Sequence, residues 1–198
     1  MLRIGITGGM GSGKSTVCQM FSNLGVPVFS SDREGRKLLN NDQEVIDKVR
    51  EKFGSDMYTT NGSIDRERIG RLVFSDPKAL ESLSKIVHPK VNEAFNYWTR
   101  THERSAYVLK EAAILFESGY YHDLDKIITV FAPKEVRIER VMKRDGMNKQ
   151  DIEKRMLLQY TDEERNKLAD FIIINDHRSK LLEQVMELHE ILLNESKW

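Results

Sequence analysis

The chain has 198 residues, with 31 basic and 31 acidic side chains, so its formal net charge is zero, and 39% of it is hydrophobic. That balance leaves no general positive field for a nucleic acid, no apolar run reaches membrane-spanning length, and the first apolar segment is too short for a signal peptide. The lone cysteine, Cys18, excludes an internal disulfide and fits a reducing cytoplasm, and no paired Cys and His residues support a structural zinc site.

Leu2-Arg3-Ile4-Gly5-Ile6-Thr7 reads as a buried strand that runs into Gly8-Gly9-Met10-Gly11-Ser12-Gly13-Lys14-Ser15. The second stretch fits G-x-x-x-x-G-K-[ST], the P-loop. Behind it, Val17, Met20, Phe21 and Leu24 fall at helical spacing, so the motif has the strand before and the helix after that it requires. Glycines let successive N–H groups converge on one phosphate chain, and the helix start adds its positive dipole. Gly8, Gly11, Ser12, Gly13, Lys14, Ser15 and Thr16 therefore read as the binding loop of a nucleoside triphosphate. Lys14 is placed to reach the β- and γ-phosphates, and the Ser15 hydroxyl to ligate Mg²⁺.

Val26-Pro27-Val28-Phe29-Ser30 is a second short strand, with Ser31 and Asp32 directly after it. Asp32 has two readings: the N-cap of the next helix, or a carboxylate that takes the proton of a substrate hydroxyl. Residues 40–105 show helical patterns interrupted at Thr59-Thr60-Asn61-Gly62-Ser63, and read as a helical insertion. Within it, His88-Pro89 predicts a break in the backbone, and the lone histidine is by itself a packing residue.

Three more strands follow: Ala106–Leu109 leading into Lys110-Glu111, Lys126–Ala132, and Phe171–Asn175. Continuous apolar runs separated by helical patterns predict an α/β chain with a parallel sheet of about five strands. Ligands collect at the carboxyl ends of such strands, which marks Ser31, Asp32, Glu111 and Asn175. Residues 134–168 carry Arg137, Arg140, Arg144, Arg155 and Arg165 over two or three helices, with a polar flap between Arg144 and Leu157. Arg140 and Arg144 share one helical face, as solvated charge or as guanidinium donors to a transferring phosphate. Lys180–Trp198 reads as an amphipathic helix with Leu181, Leu182, Val185, Leu188 and Leu192 on one side. Two short matches to GTPase motifs, Asn148-Lys149-Gln150-Asp151 and Asp32-Arg33-Glu34-Gly35, lie in the wrong context, because the first follows a charged helix and not a buried strand.

Taken together, these blocks resemble the dephospho-coenzyme A kinase family, nearly end to end. The resemblance rests on Ile6-Thr7-Gly8-Gly9 through Val17; on Asp32 with Arg36; on Val73-Phe74, Leu83 and His88-Pro89; on Ile114-Leu115-Phe116-Glu117; and on Arg140, Arg144-Asp145-Gly146, Arg155, Gln159, Ala169-Asp170 and Asn175. The resemblance implies phosphorylation of the ribose 3′-hydroxyl of dephospho-coenzyme A by ATP with Mg²⁺, the last step of coenzyme A synthesis. It implies a nucleotide-binding core (residues 1–39, 106–135 and 166–198), an acceptor-binding insertion (40–105) and a lid (136–165), with no obligate protein partner. Asp32 becomes the base, Lys14 the phosphate-binding lysine and Arg144 the lid arginine, with Arg140 beside it. Asp32, Arg36, His88, Phe116 and Glu117 become acceptor-binding residues, and Glu111 a candidate second Mg²⁺ ligand. The chain departs from the family at Ser30-Ser31, Ala113, His177-Arg178 and Arg137, which stands where glutamine is common. A GTPase switch and a kinase for another small acceptor are the competing readings.

Overall fold

A computed structural model describes residues 1–196, apart from the Phe74 side chain. Lys197 and Trp198, the end of the expected tail helix, and the Phe74 ring lie outside the described residues. Among the described residues there are five strands, β1 (Leu2–Thr7), β2 (Val28–Ser30), β3 (Tyr107–Glu111), β4 (Lys126–Phe131) and β5 (Phe171–Ile174). They pair in parallel in the order β2-β3-β1-β4-β5. The α-helices are α1 (Lys14–Asn23), α2 (Ser31–Asn41), α3 (Gln43–Phe53), α4 (Arg66–Ser75), α5 (Pro77–Arg100), α6 (Lys134–Asp145), α7 (Lys149–Met156), α8 (Asp162–Leu168) and α9 (Leu181–Glu195). Two compact units result: residues 1–30 with 98–198, and residues 31–97. Residues 31–39 thus group with the helices of the second unit, and 98–105 with the sheet.

The first unit is built on the strands the sequence marks. Ile4, Ile6, Leu109, Ile128 and Ile173 are buried under Val17 and Phe21 of α1 and Val185, Leu188 and Leu192 of α9. Each such side chain contributes about 1.5–3 kcal/mol when removed from water. β2 is shorter than its apolar run, because Pro27 has no N–H for the ladder; its carbonyl instead accepts from the Leu109 amide at 2.9 Å. Leu182 was expected on the apolar side of the tail helix and is 55% exposed. It lies a residue away from the i, i+4, i+7, i+11 series of Leu181, Val185, Leu188 and Leu192, about 100° around the helix. The charged stretch forms three helices, and α7 seats Ile152 on Ile138 and Val141 of α6.

In the second unit, Gly35 of α2 faces Val87 and Val91 of α5, and a Cβ there would meet Val87 at 3.4 Å. Asn40 accepts from the Ile64 amide at 3.0 Å and Tyr58 donates to the Leu39 carbonyl at 3.1 Å, tying the loop before α4 to α2. Glu44 of α3 is paired with Lys90 of α5. The expected break at His88-Pro89 does not occur: α5 runs through Pro89. Pro89 and Lys85 both lie on the exposed side of the helix. The turn that lacks the proline N–H thus lies on the solvent side, while Val87, Val91 and Phe95 hold the buried face.

Candidate active site

The loop Gly8–Gly13 leaves the carboxyl end of β1, the strand flanked by β3 on one side and β4 on the other, where the sheet's connections diverge. Gly11 has φ 80° with its α-carbon against the Arg137 carbonyl, and Gly13 has φ 94° with its α-carbon against the Asn175 amide. Left-handed backbone and close approach together demand glycine at both. The loop closes on itself through the Ser12 amide to the Gly9 carbonyl, 3.0 Å, and α1 begins at Lys14, so the positive end of that helix faces the loop. Lys14 Nζ donates to the Gly8 carbonyl at 2.8 Å, folding back over the loop.

Residues far away in sequence hold the loop from outside. Asn175, one position past β5, donates to the Ser12 carbonyl at 2.8 Å. Arg140 of α6 donates to the Ser12 carbonyl at 3.3 Å and to the Asn175 carbonyl at 3.0 Å, and its guanidinium lies 3.2 Å from the His177 ring. His177 itself has φ 68°, the one non-glycine residue with positive φ among those described. Gln159, between α7 and α8, accepts from the Met10 amide at 2.8 Å and donates to the Ala113 carbonyl at 2.9 Å. Behind Gly9 lie the guanidinium groups of Arg137 and Arg165, which share the Asp162 carboxylate. Glu111 closes β3 level with Ser30, whose hydroxyl donates to it at 2.8 Å. The same carboxylate acts on Cys18: burial first, then Glu111, push that thiol up to about 12, with Lys14 opposing.

The structure therefore brings together Gly8, Gly11, Ser12, Gly13, Lys14, Arg140 and Asn175, with Ser15 and Thr16 exposed in the first turn of α1. It does not bring Arg144 to the loop. Arg144 is held by a two-pronged pair with its neighbour Asp145, both bonds 2.7 Å, and that pairing raises its pKa against the opposing effect of burial. Phe116 is 3% exposed, in a cluster with Ala112, Leu115 and Ile127. Its side chain is core, not an open face for a ligand. Glu117 accepts from the Tyr160 amide at 2.7 Å, so it anchors the segment before α8. Asp32 is the second residue of α2, exposed, with no side-chain hydrogen bond among the described residues, and the N-cap reading is set aside. Arg36 is exposed and donates to the Asp32 carbonyl at 3.0 Å. His88 sits half-buried in α5.

Sequence reasoning missed the roles of Gln159, Asp162, Arg165 and Arg137. One signal was available: Arg137, Arg140 and Arg144 fall at i, i+3 and i+7, a single face of α6. The discounted N-K-x-D stretch has a local purpose, because Asn148 caps α7 by accepting from the Asp151 amide at 2.9 Å.

Against known proteins, the sequence pattern of dephospho-CoA kinases matches residues 2–180. The chain belongs to the dephospho-CoA kinase family. It is 41% identical over 199 residues to a dephospho-CoA kinase of Chlorobaculum tepidum, covering 97% of this chain and 95% of that protein. A crystal structure of a Thermus thermophilus protein matches with a TM-score of 0.81 and 32% identity, covering 98% of this chain and 97% of that one. A dephospho-CoA kinase of Campylobacter jejuni matches with a TM-score of 0.71 and 26% identity, covering 98% of each chain. As a member of this family the chain is an ATP-dependent kinase of dephospho-CoA, acting at the last step of coenzyme A synthesis. Among the described residues no helix is long and apolar enough to cross a membrane.

Proposed function

We propose that the loop Gly8–Ser15 holds the ATP phosphates, that Lys14 and Arg140 meet the transferring γ-phosphoryl group, and that Asp32 receives the proton of the acceptor's ribose 3′-hydroxyl. The observation that supports this reading is Arg140 bound to the Ser12 and Asn175 carbonyls beside the loop; a guanidinium there suits a transferring phosphate. Lys14 exchanges the Gly8 carbonyl for phosphate oxygens, a swap from a neutral acceptor to a charged one. The 3′-oxygen attacks the γ-phosphorus, the bond to the β,γ-bridging oxygen breaks, and the hydroxyl proton passes to the Asp32 carboxylate. Its lack of a competing hydrogen bond leaves that carboxylate available.

Hard oxygen donors, the Ser15 hydroxyl and the Glu111 carboxylate, suit Mg²⁺, which takes few protein ligands beside phosphate oxygens. Among the described residues no three His, Cys, Asp or Glu side chains are grouped so that they could hold a metal ion by themselves. When bound, Mg²⁺ neutralises charge that develops on the phosphates. Residues 40–105 are assigned to the acceptor, with Arg36 preceding them and His88 within, and residues 136–165 to a lid that keeps water from the γ-phosphate. The setting proposed is the cytoplasm. The test is a coupled assay with ATP and dephospho-CoA beside other acceptor alcohols, run on the parent chain and on Asp32→Asn. The variant should lose roughly 10²–10⁴ in kcat at an unchanged melting temperature; near-normal turnover removes Asp32 from the role of base.

A further inference from the structure

Two buried guanidiniums sit behind the glycine loop with one carboxylate between them. Arg137 is 6% exposed and Arg165 2%. Arg137 binds one oxygen of Asp162 at 2.7 Å and Arg165 binds the other. Arg165 also donates to the Tyr160 carbonyl. The Nε atoms of both arginines are buried with no hydrogen-bond partner. Both guanidiniums lie beside Gly9, where a Cβ would meet Arg137 and, at 2.8 Å, Arg165. The remaining carboxylates that act on this cluster, Glu135 and Glu164, are exposed, where water screens them. Burial, with Arg165 adding to it against the pull of Asp162, lowers the pKa of Arg137.

A buried charge without a full partner is costly, and an anion brought to the site removes that cost. We propose that Arg137, held by Asp162 and Arg165 against Gly9, is a positioning residue for the triphosphate, whose negative charge completes a cluster left one positive charge in excess. Arg137 acts through the Gly9 backbone and through its field, and the nucleotide is the missing counter-ion. The proposal rests on the reading of Gly8–Ser15 as the phosphate loop.

The consequence separates this role from simple packing. In R137Q the remaining Arg165 and Asp162 form a balanced pair, so the melting temperature of the nucleotide-free chain is not lowered. ATP affinity, measured by calorimetric titration, falls by roughly ten- to a hundredfold, the size of effect one unit charge about 6–12 Å away has at an effective dielectric of about 20. The KM for dephospho-CoA stays where it was, and R137K recovers part of the ATP affinity. Unchanged ATP affinity in R137Q, no recovery in R137K, or an R137Q chain that melts lower or does not fold each overturns the proposal. Lys14→Ala is the reference variant. If it loses ATP binding while R137Q does not, the phosphate loop stands and Arg137 is packing. If Lys14→Ala binds ATP normally, the reading of the loop itself has failed.

Discussion

At the scale of single residues, Arg140 and Arg144 have the same chemistry and very different surroundings. Arg140 spans Ser12 and Asn175, whereas Arg144 is 64% exposed and committed to Asp145. If Arg140 is the donor to the transferring phosphate, Arg140→Ala should depress kcat by roughly 10²-fold or more and Arg144→Ala by much less. Steady-state kinetics on both variants decide it, and equal losses would return Arg144 to the site through closure of the lid. Cys18 is a buried thiol of α1, close behind the loop. Its thiol, raised by burial to about 12 from 9.0, stays protonated at neutral pH and is a poor nucleophile. The folded chain holds that proton more tightly than the unfolded chain. Cys18 therefore favours the fold below pH 9, and this contribution fades as pH rises from 9.0 towards about 12.

At the scale of elements, α5 carries a proline in its interior because its two faces differ. Val87 and Val91 are buried against α2 at Gly35, while Pro89 faces solvent. Pro89→Ala restores an amide for the Lys85 carbonyl and removes the ring's clash with the preceding turn. The variant should be more stable by about 1–3 kcal/mol, which at this chain length is roughly 2–4 °C of melting temperature per kcal/mol. Calorimetry checks this, and a lower melting temperature would show that the ring is packed and not merely tolerated. The same reasoning explains why an X-Pro pair read from sequence gives a poor helix boundary here. The rule concerns local backbone sterics, and tertiary burial on the opposite face outweighs it.

At the scale of the whole molecule, nucleotide binding couples to stability because only the folded sheet assembles the loop with Arg140 and Asn175. ATP with Mg²⁺ at about 100 times its Kd should add about 2.7 kcal/mol, a rise of roughly 5–11 °C in melting temperature. Chelating Mg²⁺ should shrink that rise, and Lys14→Ala should abolish it. Thermal unfolding followed by fluorescence reads all three. An equal rise in Lys14→Ala would mean that ATP is held somewhere other than the loop.

The sequence by itself determined the parallel α/β core, the phosphate loop and the helical stretch between residues 40 and 105. These rest on short-range signals: apolar runs of strand length, helical spacing, and eight consecutive residues that fit the P-loop pattern. Tertiary structure alone decided which arginine reaches the loop, that Phe116 is core, and that Gln159, Asp162 and Arg165 attend Gly9 and Met10. Asn175 and Ser12 are 163 positions apart, and Gln159 and Met10 are 149 apart. No local periodicity encodes contacts of that span; they exist because β1, β4 and β5 lie side by side and α8 packs on β4. Charge was legible in the chain, but its burial was not, and burial is what separates Arg137 and Arg165 from a solvated helix face.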